Sequence, residues 1–211
     1  MRLIDPRVRL PEFVVRLYPE AIWRVPTEQK RVYLTFDDGP IPEVTPWVLK
    51  ILEEEQVDAC FFCVGDNVRK YPDVYQSIII GGHLTGNHTF HHLQGLKTST
   101  KVFFQDILKT GEFIDSGLFR PPHGLMKTSQ CKFISKRFKV VMWDIVSCDY
   151  RQSLSPEKVI NNVLDNVRPG SIITFHDSVK AWKNLSGALP VVIKKLKEKG
   201  YGFGSLNELL N

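Results

Sequence analysis

The sequence predicts a single-domain α/β architecture built on parallel strands. Three observations carry the prediction. Strand-like runs alternate with helical patterns about seven times, as β-α-β units require. The runs at 31–36 and 59–64 are almost continuously apolar, as strands covered on both faces are. Polar clusters follow nearly every run. Pattern alone leaves a doubly wound sheet and a barrel open. The recurring polar clusters suit a barrel with one functional rim at its strand C-terminal ends.

The elements follow in order. Prolines 6, 11, 19 and 26 break up residues 1–29, with Phe13, Leu17, Tyr18, Ile22 and Trp23 between them. This stretch is expected to be an extension that wraps the outside and covers apolar surface, with the main domain spanning 30–211. After the first strand, Thr45-Pro46 reads as N-cap and first helical position, with the helix running to about Glu55. Beyond the second strand, a helix spans 67–80 and ends at Gly81-Gly82. Strands follow at 83–87, 118–119, 139–145, 171–175 and 201–204. Helices alternate with them at 99–116, 129–137, 156–167 and 189–199, and a last turn starts at Leu206.

A chain of 211 residues supports one substantial core. Its 43% hydrophobic and 24% charged fractions are those of an ordinary globular protein. A net charge of +5, with 28 basic residues scattered along the chain, gives no nucleic-acid signature. Lys194, Lys195, Lys197 and Lys199 read as the solvated face of one helix. Cys60 and Cys63 have C-x-x-C spacing, but on a strand they face opposite sides and pack in the core. Cys131 and Cys148 read as lone thiols. No apolar stretch approaches the roughly 18 residues of a membrane span. Pro11, Glu12, Arg16 and Pro19 interrupt any signal-peptide core, so the expected location is cytoplasmic.

Chemistry concentrates after the strands. Asp37 and Asp38 end the first one before Gly39-Pro40. Neighbouring strand residues point in opposite directions, so the two carboxylates cannot do one job, and each needs a cation or donor. His88 and His92 are four apart. If the chain turns helically there, both imidazoles share a face and complete, with a carboxylate, a three-ligand metal site with an open position. His91 falls on another face, as a supporting or surface residue. Arg120, in a proline-stiffened loop ending at His123-Gly124, is a permanent cation for one aspartate. Two further strands end near Asp144, Asp149 and Tyr150, and at Thr174-Phe175-His176-Asp177.

These clusters resemble, over residues 30 to 210, the polysaccharide deacetylases, also called family-four carbohydrate esterases or the NodB homology domain. Thr35-Phe-Asp-Asp-Gly39, His88-Thr-Phe-His-His92, Arg120-Pro-Pro-His-Gly124, Asp149-Tyr150 and Thr174-Phe-His176 resemble the five family motifs in order. The resemblance implies a distorted, TIM-like (β/α)7 barrel and metal-assisted removal of an acetyl group from an N-acetylated sugar, oligosaccharide or glycan. It implies that Asp38, His88 and His92 bind a divalent metal, usually zinc, with cobalt, manganese or nickel as alternatives. Asp37 is then the general base and Arg120 its partner. His176 is the general acid oriented by Asp149, and the His123 backbone N–H an oxyanion donor. Tyr150 and Thr174 belong to the pocket for the acetyl methyl. Three departures touch that pocket: His123 stands where Tyr is common, Tyr150 where Trp is, and Thr174 where Leu is. The alternatives are an O-acetyl esterase on acetylated polysaccharide, hydrolysis of a small cyclic or linear amide, and, from another class, an inactive barrel that binds carbohydrate. The sequence leaves the oligomeric state open.

Overall fold

The computed structural model describes residues 5–210. The first four residues of the N-terminal extension lie outside that range. Nine strands are present among the described residues: β1 (Ala21–Ile22), β2 (Arg31–Asp37), β3 (Ala59–Cys63), β4 (Leu84–Asn87), β5 (Leu118–Phe119), β6 (Lys139–Val141), β7 (Ile145–Val146), β8 (Ile172–His176) and β9 (Gly202–Phe203). All their pairings are parallel, in the order β1-β6-β5-β4-β3-β2-β8-β7, with β9 on the start of β2. The sheet curls into an incomplete barrel. Seven strands were expected; the predicted strand at 139–145 splits into two, and the extension supplies β1.

Among the described residues, eight α-helices accompany the strands: α1 (Glu12–Val15), α2 (Thr45–Glu54), α3 (Gly65–Lys70), α4 (Pro72–Ile80), α5 (Thr100–Thr110), α6 (Thr128–Ile134), α7 (Pro156–Leu164) and α8 (Trp182–Glu198). The expected helix at 67–80 is two helices, because Pro72 lacks an N–H and opens a new one. The helix expected from Leu189 begins at Trp182, with Pro190 inside it rather than near its start. Thr45 does not cap α2: its hydroxyl donates to Asp177 Oδ2 at 2.6 Å and accepts the Ile41 N–H.

Strand alternation builds two apolar layers. Val32, Leu34, Phe36, Phe61, Cys63, Ile173 and Phe175 pack outward against helices α2, α7 and α8. Tyr33, Cys60, Phe62, Leu118, Val141 and Ile172 pack inward, and Leu206 closes the end where the strands start. Cys60 and Cys63 thus lie in different layers, and all four thiols are free and buried. Burial pushes the Cys60 thiol up to about 12.

No ladder joins β6 to β7. The N-terminal segment covers that opening. Met142 N–H donates to Ile22 O, Val25 N–H to Gly170 O, and Val146 N–H to Val8 O. Asp144 was read with the polar rim, but the chain bends there and turns it away. It pairs instead with Arg9 and Arg168 and accepts the Ser171 hydroxyl at 2.6 Å.

Candidate active site

Strand register sets the floor of the rim. Asp37 on β2 lies beside His176 on β8, and Thr35 beside Thr174. All four belong to the inward-facing parity, so the barrel delivers them to one place. Arg120, fully buried, reaches in from the end of β5. Its guanidinium lies 4.0 Å over the Phe62 ring. It donates to Asp37 Oδ1 at 2.6 Å, to Thr35 Oγ1 at 2.8 Å, and to the carbonyls of Val141 and Met142. The fork geometry of arginine permits this spread of partners; a lysine has one donor point.

Asp38 leaves the strand parity through its backbone, with φ 85°. That swings its carboxylate toward His92 Nε2, 3.1 Å away, and His88 Nε2, 3.8 Å away. The turn is pinned on both sides. Asn67 Nδ2 donates to Asp38 O, and Gly39 N–H donates to the buried Asp177. A side chain at Gly39 would place its Cβ 1.9 Å from Asp177 Oδ2, so only glycine fits this close approach.

The two histidines converge without the expected helical turn. Residues 88–94 form a loop in which Thr89 and His92 are left-handed, at φ 62° and 55°. Side chains hold it in shape. Asn87 Oδ1 accepts the Thr89 N–H, Thr89 Oγ1 accepts the Leu93 N–H, and Asp106 Oδ2 accepts the N–H groups of Phe90 and His91. The His91 ring is 2.5 Å from Asp106 Oδ1 and half exposed, in the supporting position expected. Asp106 is a site residue the sequence reading missed. Its signal was an acid beside Ile107 on the buried face of α5.

Three ligand atoms, one each from Asp38, His88 and His92, lie within 4.8 Å of one another. The set fits a divalent cation. His88 Nδ1 bonds to Arg120 O at 2.8 Å, which leaves Nε2 for a metal. Burial holds the His88 imidazole neutral, pushing it down to about 4. His92 Nε2 is buried and makes no hydrogen bond among the described residues. Burial opposes ionisation of Asp38, but His92, His176 and His88 outweigh it and hold the carboxyl below the usual range.

The opposite wall carries a charged pair. His176 Nδ1 lies 2.7 Å from Asp149 Oδ1, and Asp149 Oδ2 accepts the His176 backbone N–H at 2.8 Å. Burial disfavours the imidazolium, yet Asp149 outweighs it, Asp38 and Asp37 add to the effect, and His176 is pushed up to about 9. Tyr150 meets its ring edge-on at 4.9 Å. His123 is left-handed at φ 58°, and its N–H has no hydrogen-bond partner among the described residues. A cavity of about 400 Å³ joins Asp37, Asp38, His88, His92, His123, Tyr150, Thr174 and His176. Every predicted site residue thus meets here, Arg120 and Asp149 from just behind the wall. Pro6, Arg7, Leu10, Trp143, Val146 and Lys180 complete the lining; the sequence did not single out any of them for the site.

The polysaccharide deacetylase family profile matches residues 24–138, just over half of the chain. A peptidoglycan-N-acetylglucosamine deacetylase of Bacillus cereus is 33% identical over 196 residues, covering 89% of this chain and 92% of that protein. A chitooligosaccharide deacetylase of Azorhizobium caulinodans is 32% identical, covering 87% and 96%. Among solved structures, the Bc1960 peptidoglycan N-acetylglucosamine deacetylase, in complex with an N-hydroxybenzamide, superposes with a TM-score of 0.86 at 32% identity, over 94% of this chain and 95% of that one. A pseudoenzyme of the same family from Bacillus anthracis superposes with a TM-score of 0.81 at 26% identity, covering 90% and 69%. The chain belongs to the polysaccharide deacetylase family, the family-four carbohydrate esterases.

Proposed function

We propose that this carbohydrate deacetylase is metal-dependent and hydrolyses the N-acetyl group of an N-acetylated sugar, oligosaccharide or glycan. One observation carries the reading. Asp37 and His176 are register partners on adjacent strands, so an acceptor and a donor of protons flank one pocket beside a three-ligand cluster.

Asp38, His88 and His92 would hold a divalent cation such as Zn2+, which would supply the Lewis acidity that acidifies water and polarises the acetyl carbonyl. The protein groups do the rest. Asp37 accepts a proton from the attacking water, and Arg120 keeps its carboxylate aimed. The His123 N–H donates to the oxyanion as the carbonyl carbon becomes tetrahedral. His176, charged up to about pH 9, gives its proton to the leaving nitrogen as the C–N bond breaks, releasing acetate and the amino sugar. Asp149 orients that acid. Tyr150 and Thr174 wall the place of the acetyl methyl. The extension, residues 1–29, acts as part of the same unit, since Arg7 and Leu10 line the pocket.

An amine leaving group needs protonation more than an alkoxide does, so a well-supported acid favours N- over O-deacetylation. Release of acetate from N-acetylglucosamine oligomers, peptidoglycan fragments and acetyl-xylan, with zinc, cobalt, manganese or nickel, tests this reading. Faster turnover of acetyl-xylan supports the esterase instead. Asp37→Asn is expected to abolish turnover while metal stays bound; near-wild-type turnover overturns its role as base. Among the described residues, no helix is long and apolar enough to cross a membrane.

A further inference from the structure

The two candidate metal-binding histidines are not held alike. A metal-ligating imidazole is ordinarily fixed by a hydrogen bond from its other nitrogen. His88 has that bond, to the Arg120 carbonyl. Among the described residues His92 has none: its Nε2 is 3.1 Å from Asp38 Oδ1, and its ring packs against those of His88 and His123. Its terminal ring torsion has a broad, nearly two-fold preference, so something else must select the orientation that aims Nε2 at Asp38.

Two rings do so from either side. His88 lies at 5.2 Å between centroids, with an interplanar angle of 48°. His123 lies at 4.7 Å and 63°, edge-on. The second contact is built by the loop after β5. Prolines 121 and 122 stiffen its approach, and left-handed backbone at His123 presents the ring to His92. Gly124, also left-handed, cannot carry a side chain, because its Cβ would meet the Trp143 ring at 2.1 Å. The loop therefore has one way to sit, and it delivers a flat side chain against the ligand that lacks a hydrogen bond.

We propose that the His123 side chain is a positioning residue for the metal site, which fixes the His92 imidazole by ring-to-edge packing and so sets metal affinity. This rests on the reading of Asp38, His88 and His92 as metal ligands. The role needs a ring and no ring nitrogen, so an aromatic hydrocarbon serves as well as an imidazole. It is separate from the oxyanion role of the His123 backbone N–H, which every substitution keeps.

The test reads metal binding directly, by chelator competition for zinc and by the visible spectrum of the cobalt-loaded protein. His123→Ala and His123→Asn remove the ring, and asparagine tolerates left-handed backbone. Both are expected to weaken zinc about tenfold or more, the usual size of losing an outer partner of a ligand, and to alter the cobalt spectrum. His123→Phe and His123→Tyr are expected to keep affinity within about threefold of wild type, well inside that tenfold scale. Near-UV circular dichroism identifies any variant that misfolds, and the asparagine variant substitutes for an alanine variant that does. Unchanged zinc affinity in a folded ringless variant overturns the proposal. An equal loss in the phenylalanine variant also overturns it, because a nitrogen of His123 would then be at work. Failure of the wild-type protein to bind metal instead overturns the metal reading itself.

Discussion

Arg120→Met is the sharpest probe of the pocket floor. The native guanidinium is buried and makes four hydrogen bonds, one of them to Asp37 at 2.6 Å. Methionine fills similar volume but leaves the Asp37 carboxylate, 5% exposed, without its cation. Removing one member of a buried ion pair costs about 3–5 kcal/mol. Two carbonyls, of Val141 and Met142, lose their donor as well, at about 1–3 kcal/mol each if water does not replace it. A domain of this size loses about 2–4 °C of Tm per kcal/mol, so a fall of at least about 6 °C is expected. Thermal or urea unfolding reads this without reference to activity. The companion is Asp37→Asn, alone and combined with Arg120→Met. The double variant is expected to be more stable than additivity predicts by more than about 1 kcal/mol, because the second substitution removes the stranded charge. If Arg120→Met unfolds at the wild-type temperature, or the pair adds within about 0.5 kcal/mol, Arg120 is not what holds Asp37.

The other expectations concern the acid and the turn. His176 is the acid form below about pH 9, so turnover of the metal-loaded enzyme falls as pH rises through that value. Asp149→Asn removes the largest favourable partner of the imidazolium and moves the falling limb down, toward the ordinary histidine value of about 6.5; an unmoved limb assigns it to another group. The same pair links stability to pH. A folded value above the unfolded one gives stabilisation that is complete below about pH 6.5 and lost as pH rises through the folded value. The melting temperature of wild type, but not of Asp149→Asn, should decline over that window. Gly39→Ala drives a methyl into Asp177, at a cost of about 1–3 kcal/mol. Because Asp177 pins the turn that carries Asp38, zinc affinity should fall with it; a stable Gly39→Ala protein with native affinity would refute that linkage.

Which parts of this molecule were legible in the sequence follows from the range of the forces involved. The strands at 31–36 and 59–64 announced themselves because both faces are buried, and a parallel sheet then needs continuous apolar character. The polar clusters were legible because they interrupt such runs. Ala21–Ile22 was not, since two residues carry no period, and its place is set by the gap between β6 and β7. The H-x-x-x-H pair does converge with Asp38, but by a different geometry from the one its spacing suggests. Four-residue spacing suggests a helix, but Thr89 and His92 adopt left-handed backbone held by Asn87 and Asp106, whose hydrogen bonds no spacing rule contains. The helix expected at 189–199 was placed too late, because the apolar face of Leu185, Leu189, Val192 and Leu196 anchors a helix that starts at Trp182 and runs through Pro190. Asp144 followed a strand as the other site acids do, yet the bend between β6 and β7 turns it toward Arg9 and Arg168.

The adjacent aspartates show how one strand end supports two chemistries. Ladder register decides the first: Asp37 is the last residue of β2 in register with β8, so it inherits the inward parity and meets His176 and Arg120. The backbone decides the second. At φ 85° Asp38 escapes the alternation that would send it outward. Its carbonyl and the next N–H are taken by Asn67 and Asp177, so the escape has a defined direction, toward His88 and His92. Left-handed, non-glycine residues cost of order 1–3 kcal/mol each and persist only where the surroundings fix them. Asp38, Thr89, His92, His123 and Cys148 are all of this kind, and among the described residues only Gln56, just after α2, joins them. The first four build the candidate metal site and its wall, and Cys148 immediately precedes Asp149. Five of these six strained positions thus lie at or beside one rim, where strand parity alone would have scattered the groups that have to meet.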